Sequence, residues 1–143
     1  MKNTLIKSIL LGSLTLNLNA DFIRDNTKQV VNDTKTGLMW QDDAVMHYDW
    51  NTAITACENL TLGGYSDWRL PNIRELKSIV DKSKANPAIS PNFTAIASNN
   101  YWSSTMNASN SSYPWYMNFV DGSEDNQGNK KGIGCVRCVR AGQ

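Results

Sequence analysis

The 143-residue chain contains one histidine, four prolines and three cysteines, and it carries almost no net charge. A single histidine leaves little room for histidine-based catalysis. It is His47, in the polar stretch QDDAVMHYDW, where it reads as an ordinary surface loop residue. Clustered lysine and arginine are missing, which excludes a nucleic-acid footprint and a polybasic membrane patch. Lys2 and Lys7 fall in a segment expected to be removed, leaving twelve basic against thirteen acidic residues. No internal repeat, linker or Gly-X-Y stalk interrupts the chain. After the first twenty residues no apolar run is long enough to span a bilayer, so no stable membrane insertion is expected.

Residues 1–20, MKNTLIKSILLGSLTLNLNA, have the order of an export leader. Lys2 and Lys7 form a short positive region, Ile9 to Leu18 an apolar one, and Ala20 supplies the small residue a cleavage site needs. The alternative is an amphipathic first helix. The leader reading predicts an exported protein, periplasmic or extracellular, with one domain over 21–143. That length is enough to bury a single core.

Asn is abundant between Asn86 and Asn129, which predicts long ordered loops. The five tryptophans argue against disorder. The turn-forming stretch NDTKTG, 32–37, predicts a hairpin with Val30-Val31 on one arm and Leu38-Met39-Trp40 on the other. A helix capped by Asp49 should bury Trp50, Ala53, Cys57 and Leu60 and end at Gly63-Gly64. A second helix should begin at Asn72, with Glu75 completing a capping box and Ile73, Leu76 and Val80 facing inward. Strands are expected at 101–106, 115–120 and 133–140, with Asp121-Gly122 a turn after the second. Strands, two helices and strands in that order favour an α+β fold with segregated helices.

DTKTGLMWQ (33–41), GGYSDWRLPNIREL (63–76), YWSST (101–105), NFVDG (118–122) and VRCVR (136–140) resemble one bacterial family. It is the C-terminal domain family of Legionella collagen-like (Lcl) adhesins, a domain of unknown function. The resemblance runs from about Val30 to Arg140 and is specific because the motifs occur in this order and spacing. It implies a C-type-lectin-like fold, in its formylglycine-generating-enzyme variant, with two helices and a small, mainly antiparallel sheet. That fold joins its first helix to its last strand by a disulfide, which implies a Cys57–Cys138 bond here. The competing pairing, Cys135–Cys138, would join residues that point to opposite faces of a strand.

Several site readings stay open beside that resemblance. The enzymes of the fold use two late cysteines to hold copper and activate oxygen. Cys135 and Cys138 are two late cysteines at a different spacing, so an oxidase or another envelope enzyme is the alternative function. Asp121, Glu124, Asp125 and Asn126 could offer oxygens to a hard cation, but they read more simply as a solvated hairpin loop, as do Asp42 and Asp43. No catalytic residues, metal ligands or cofactor are assigned. Trp40, Trp50 and Trp68 read as core, and Asp67 and Arg69 as charges that pin neighbouring loops. The favoured function is an exported, non-catalytic binding or adhesion module for an unknown glycan or extracellular protein. Its candidate face joins Trp102, Tyr113, Trp115, Tyr116, Asn118 and Asp121, around the Asn- and Ser-rich loop 106–114 and the loop 121–129. Trp115 and Tyr116 are adjacent on a predicted strand, so only one is expected at the surface, and Tyr116 is preferred.

Overall fold

A computed structural model describes residues 21–142. The expected leader, residues 1–20, lies outside the described residues. The first strands are β1 (Phe22–Asp25), β2 (Val30–Asp33), β3 (Leu38–Gln41) and β4 (Met46–Tyr48). Helices α1 (Trp50–Glu58) and α2 (Ile73–Ser78) follow, and then β5 (Asn100–Met106), β6 (Pro114–Asn118), β7 (Ser123–Asp125), β8 (Gly134–Val136) and β9 (Val139–Ala141). The fold is α+β, and the small sheet is divided in two. One sheet has the order β1-β2-β3-β9, the other β4-β8-β5-β6-β7. All pairings are antiparallel except the single β5–β8 contact, where Tyr101 pairs with Cys135.

Local chemistry explains the turns and helix ends. The Asp33 carboxylate accepts from the backbone N–H groups of Lys35 and Thr36 and from the Thr36 hydroxyl. Gly37 then takes a positive φ of 72°, and the β2–β3 hairpin closes. Asp49 caps α1 by accepting from the Thr52 N–H. That helix stops at Asn59, earlier than the Gly63-Gly64 pair suggests, and those two glycines form the turn beyond it. Asn72 and Glu75 complete the capping box of α2. Ile79, just past its end, is buried, whereas Val80 and Ile73 are half-buried.

Alternation along the strands builds two cores, one on each side of the sheets. Val31, Trp40, Tyr101, Cys135 and Val139 pack on the side of Leu76 in α2. Val30, Met39, Trp102, Val136 and Cys138 pack on the side of Ala53 and Cys57 in α1, joined by Trp68. Trp40 and Trp68 are buried, while Trp50 is half-buried and donates its indole N–H to the Ser103 carbonyl at 2.8 Å.

The segment 133–140 is two strands in different sheets, β8 and β9, and not one. The break falls at Arg137-Cys138. Cys138 donates its N–H to the Gln41 side-chain oxygen at 3.0 Å. Arg137 turns inward to Asp42, with Nη1 2.9 Å from the Asp42 carboxylate. Asp42 also accepts from the N–H groups of Thr94 and Ala95 and pairs with Arg24. The guanidinium of Arg137 lies over the Phe93 ring, 4.8 Å from its centre. Asp42 was expected in a solvated loop. It is instead the buried anion that joins β1, the 94–95 loop and the β8–β9 junction. Burial pulls the Arg137 pKa down. The disulfide is Cys57–Cys138, the pairing the resemblance implies, with Cα atoms 5.4 Å apart. It links α1 to the β8–β9 junction across 81 residues.

Candidate ligand-binding face

The face of the five-stranded sheet on the α1 side carries the candidate site. Asn100 pairs with Asn118 and Trp102 with Tyr116, so these four side chains share one face of β5 and β6. Ser123 and Asp125 of β7 continue that face, opposite Asn118 and Tyr116. Trp102 and Tyr116 meet edge to face, with ring centres 6.3 Å apart. The Trp102 indole N–H donates to the Tyr48 carbonyl at 2.9 Å, which fixes the ring.

The β7–β8 loop closes over this aromatic pair. Its glycines let the backbone approach. A Cβ on Gly128 would stand 2.5 Å from the Trp102 ring, and one on Gly134 2.7 Å from its Nε1. The result is a recess of about 230 Å³ bordered by Asn100, Trp102, Tyr116, Gln127, Asn129 and Ile133. Ile133 is 70% exposed, the most exposed large apolar residue among those described. Burial, followed by the charge of neighbouring Asp125, raises the Tyr116 phenol pKa.

The loop 106–114 forms an outer rim and is held by its own asparagines. Asn107 accepts from the Ser109 N–H and Asn110 from the Ser112 N–H. The Asn107 amide donates to the Asn126 carbonyl at 3.1 Å, tying the rim to the β7–β8 loop. Tyr113, 40% exposed, stands between Gln127 on one side and Lys131 on the other.

Of the sequence-derived candidates, Trp102, Tyr116 and Asn118 come together on one face, and Tyr113 stands on the rim. Trp102 is 5% exposed and forms the floor of the recess more than an open platform. Trp115 points to the opposite face, and both it and Tyr116 are half-buried, so the sheet does not choose between them as expected. Asn118 accepts from the Val120 N–H. Asp121 is at the β6–β7 turn, at the other end of β6 from Tyr113. It accepts from the Ser123 hydroxyl and N–H, which hold its carboxyl below the usual range.

Asn100, Gln127, Asn129 and Ile133 were not singled out by sequence. Gln127 and Asn129 lie in the loop 121–129 that the sequence placed on the candidate face, but no signal marked them individually, and the glycines of GNKKGIG mark close backbone approach without saying to what. The acidic residues 121–125 diverge. Asp121 bonds Ser123, Glu124 reaches Lys77 at 3.0 Å, and Asp125 caps the Gln127 N–H. Among the described residues no group of three or more His, Cys, Asp and Glu could hold a metal ion.

His47 lies on strand β4, not in a loop, and is exposed. Its Nδ1 is 3.6 Å from the Cys135 sulfur on the paired residue of β8. Cys135 is free and fully buried, and burial pushes its thiol pKa up to about 11, against the pull of Arg137. A thiol held protonated in this way is a poor nucleophile. Asp67 pairs with Arg140 at 2.6 Å, and Arg69 forms two 2.7 Å bonds to Glu75.

Comparison with protein families gives one match, the Lcl C-terminal domain, over residues 29–140. No curated protein matches the chain.

Proposed function

Because the chain belongs to the Lcl C-terminal domain family, we propose that it is an exported, non-catalytic binding module whose ligand sits on the face formed by Trp102, Tyr116 and the 106–114 and 126–133 loops. The observation that carries this reading is the recess beside Trp102. It combines a rigid aromatic floor, exposed amides and an exposed isoleucine, held by a sheet and by loops with their own internal hydrogen bonds. Concave sites with an apolar base and a few polar groups are where small ligands and recognition elements settle. The disulfide fits an oxidising compartment. Among the described residues no helix is long and apolar enough to cross a membrane.

A glycan and extracellular-matrix array probed with the purified protein tests the reading. Binding that is weakened by Tyr116→Ala or Tyr113→Ala supports it. Binding that survives both and is lost on changing the exposed Asp43 region places the site elsewhere.

The oxidase alternative requires thiols at both Cys135 and Cys138, and the Cys138 sulfur is bonded to Cys57. Thiol titration separates the two readings. The binding module should show no reactive thiol when native and one after unfolding without reductant. Three thiols after unfolding without reductant, Cys57 among them, with Cys135 and Cys138 reactive in the native protein, would favour the copper site.

A further inference from the structure

Building on the binding-module reading, we infer that the recess beside Trp102 takes a single uncharged sugar ring and needs no metal ion to hold it. Three observations converge on that class of ligand. The first is size. About 230 Å³ is below the range of pockets that enclose drug-sized ligands and suits one saturated ring.

The second is charge. No ionisable acid or base other than the Tyr116 phenol borders the recess. Of the two cations in the loop, Lys130 lies over the Trp50 ring, 4.7 Å from its centre, with its carbonyl accepting from the Trp50 N–H, and Lys131 lines the neighbouring groove beside Tyr113. Asp125, which caps the Gln127 N–H, sets a carboxylate beside Tyr116. An anionic ligand would therefore lose its hydration without finding a countercharge, and would meet that carboxylate.

The third is the state of the polar groups. Among the described residues no side-chain hydrogen bond engages the amides of Asn100 or Gln127, and Asn129 uses only its oxygen, towards the Lys131 N–H. A carboxamide offers a carbonyl acceptor and two N–H donors. Adjacent ring hydroxyls each donate and accept, so they can bond donor and acceptor of one amide together. The C–H face of the same ring is apolar and can lie against Tyr116 and Ile133. A flat aromatic ligand would leave those donors and acceptors unmatched, and an anionic one would need a cation the recess lacks.

Titration of the ¹⁵N-labelled protein with the methyl glycosides of glucose, galactose, mannose and N-acetylglucosamine tests the inference, with chelator and high salt present. At least one of them should bind with millimolar affinity, the weak regime expected of one small ring. It should shift the side-chain amides of Asn100, Gln127 and Asn129 and the Trp102 indole N–H. Gln127→Ala should weaken that binding about fivefold, the loss of one hydrogen bond, with the melting temperature unchanged. The inference is overturned if no glycoside shifts these signals, if chelator abolishes the shifts, or if Gln127→Ala and Asn100→Ala both bind like the parent. A protein or anionic glycan found on the array that perturbs only Tyr113 and Lys131 would overturn it too, while leaving the binding-module reading intact. An array without any hit would count against that reading, and the glycoside titration would still decide this one.

Discussion

The molecule has two regions rich in polar groups, and they use them in opposite ways. At the β8–β9 junction, Asp42, Arg137 and Gln41 are buried, and their side chains are bonded within the protein, with only Arg137 Nε left without a hydrogen bond. Around the recess, Asn100, Gln127 and Asn129 are exposed or half-buried, with amide groups not engaged by the fold. Buried polar groups must be satisfied internally because desolvation without a partner is costly. Exposed amides are satisfied by water, which a ligand can displace. Saturation therefore marks the structural region and idle groups the available one.

The comparison breaks first at Arg137. Arg137→Met leaves Asp42 buried with Arg24 as its remaining cation. It should cost about 3–5 kcal/mol, the usual result of removing one partner from a buried pair. Denaturant unfolding measures it. A loss below about 1 kcal/mol would show that the junction is not held by this network.

The disulfide tests the same region covalently. Replacing Cys57 and Cys138 together by alanine should cost about 2–4 kcal/mol, with about 4.5 kcal/mol the chain-entropy value for a loop of this length. Thermal melts of the two proteins give the difference. A large fraction of a small domain's stability is at stake, so the variant should unfold well below its parent.

A smaller effect should follow from the α2 cap. Burial works to raise the Glu75 pKa, but the hydrogen bonds from Arg69 and the Asn72 backbone outweigh it, and the net shift is down from 4.5. A carboxyl lowered on folding stabilises the native state above its unfolded pKa, and that stability is lost as pH falls through the folded value. Stability should therefore decline below about pH 4.5, and Glu75→Gln should flatten part of that decline. Arg69 is 47% exposed, so solvent screening keeps the effect under about 1 kcal/mol. Urea midpoints at pH 7 and pH 3.5 compare the two proteins.

The smallest stability change belongs to the recess. Gln127→Ala and Tyr113→Ala should each stay within about 0.5 kcal/mol of the parent, because neither side chain supports the core. If either costs as much as the disulfide, the distinction between saturated and idle groups fails.

Sequence alone determined most of the local architecture. The NDTKTG turn, the Asp49 cap and the Asn72–Glu75 capping box are interactions between residues a few positions apart, and short-range chemistry is visible in a linear chain. The apolar hairpin arms Val30-Val31 and Leu38-Met39-Trp40 were visible as well, although not that both faces of the sheets are covered. The family motifs brought Cys57 to Cys138, a pairing that periodicity could not supply. Only the tertiary structure decided the fate of Asp42, which reads as a surface acid until Arg137, 95 residues away, is brought against it. It also split 133–140 between two sheets, because the inward turn of Arg137 and the Cys138 bonds interrupt the strand. The recess was hidden for the same reason. Asn100 and Gln127 acquire meaning from a shared sheet face and from a loop that Gly128 and Gly134 allow to lie on Trp102, and those are contacts between distant segments that no local pattern encodes.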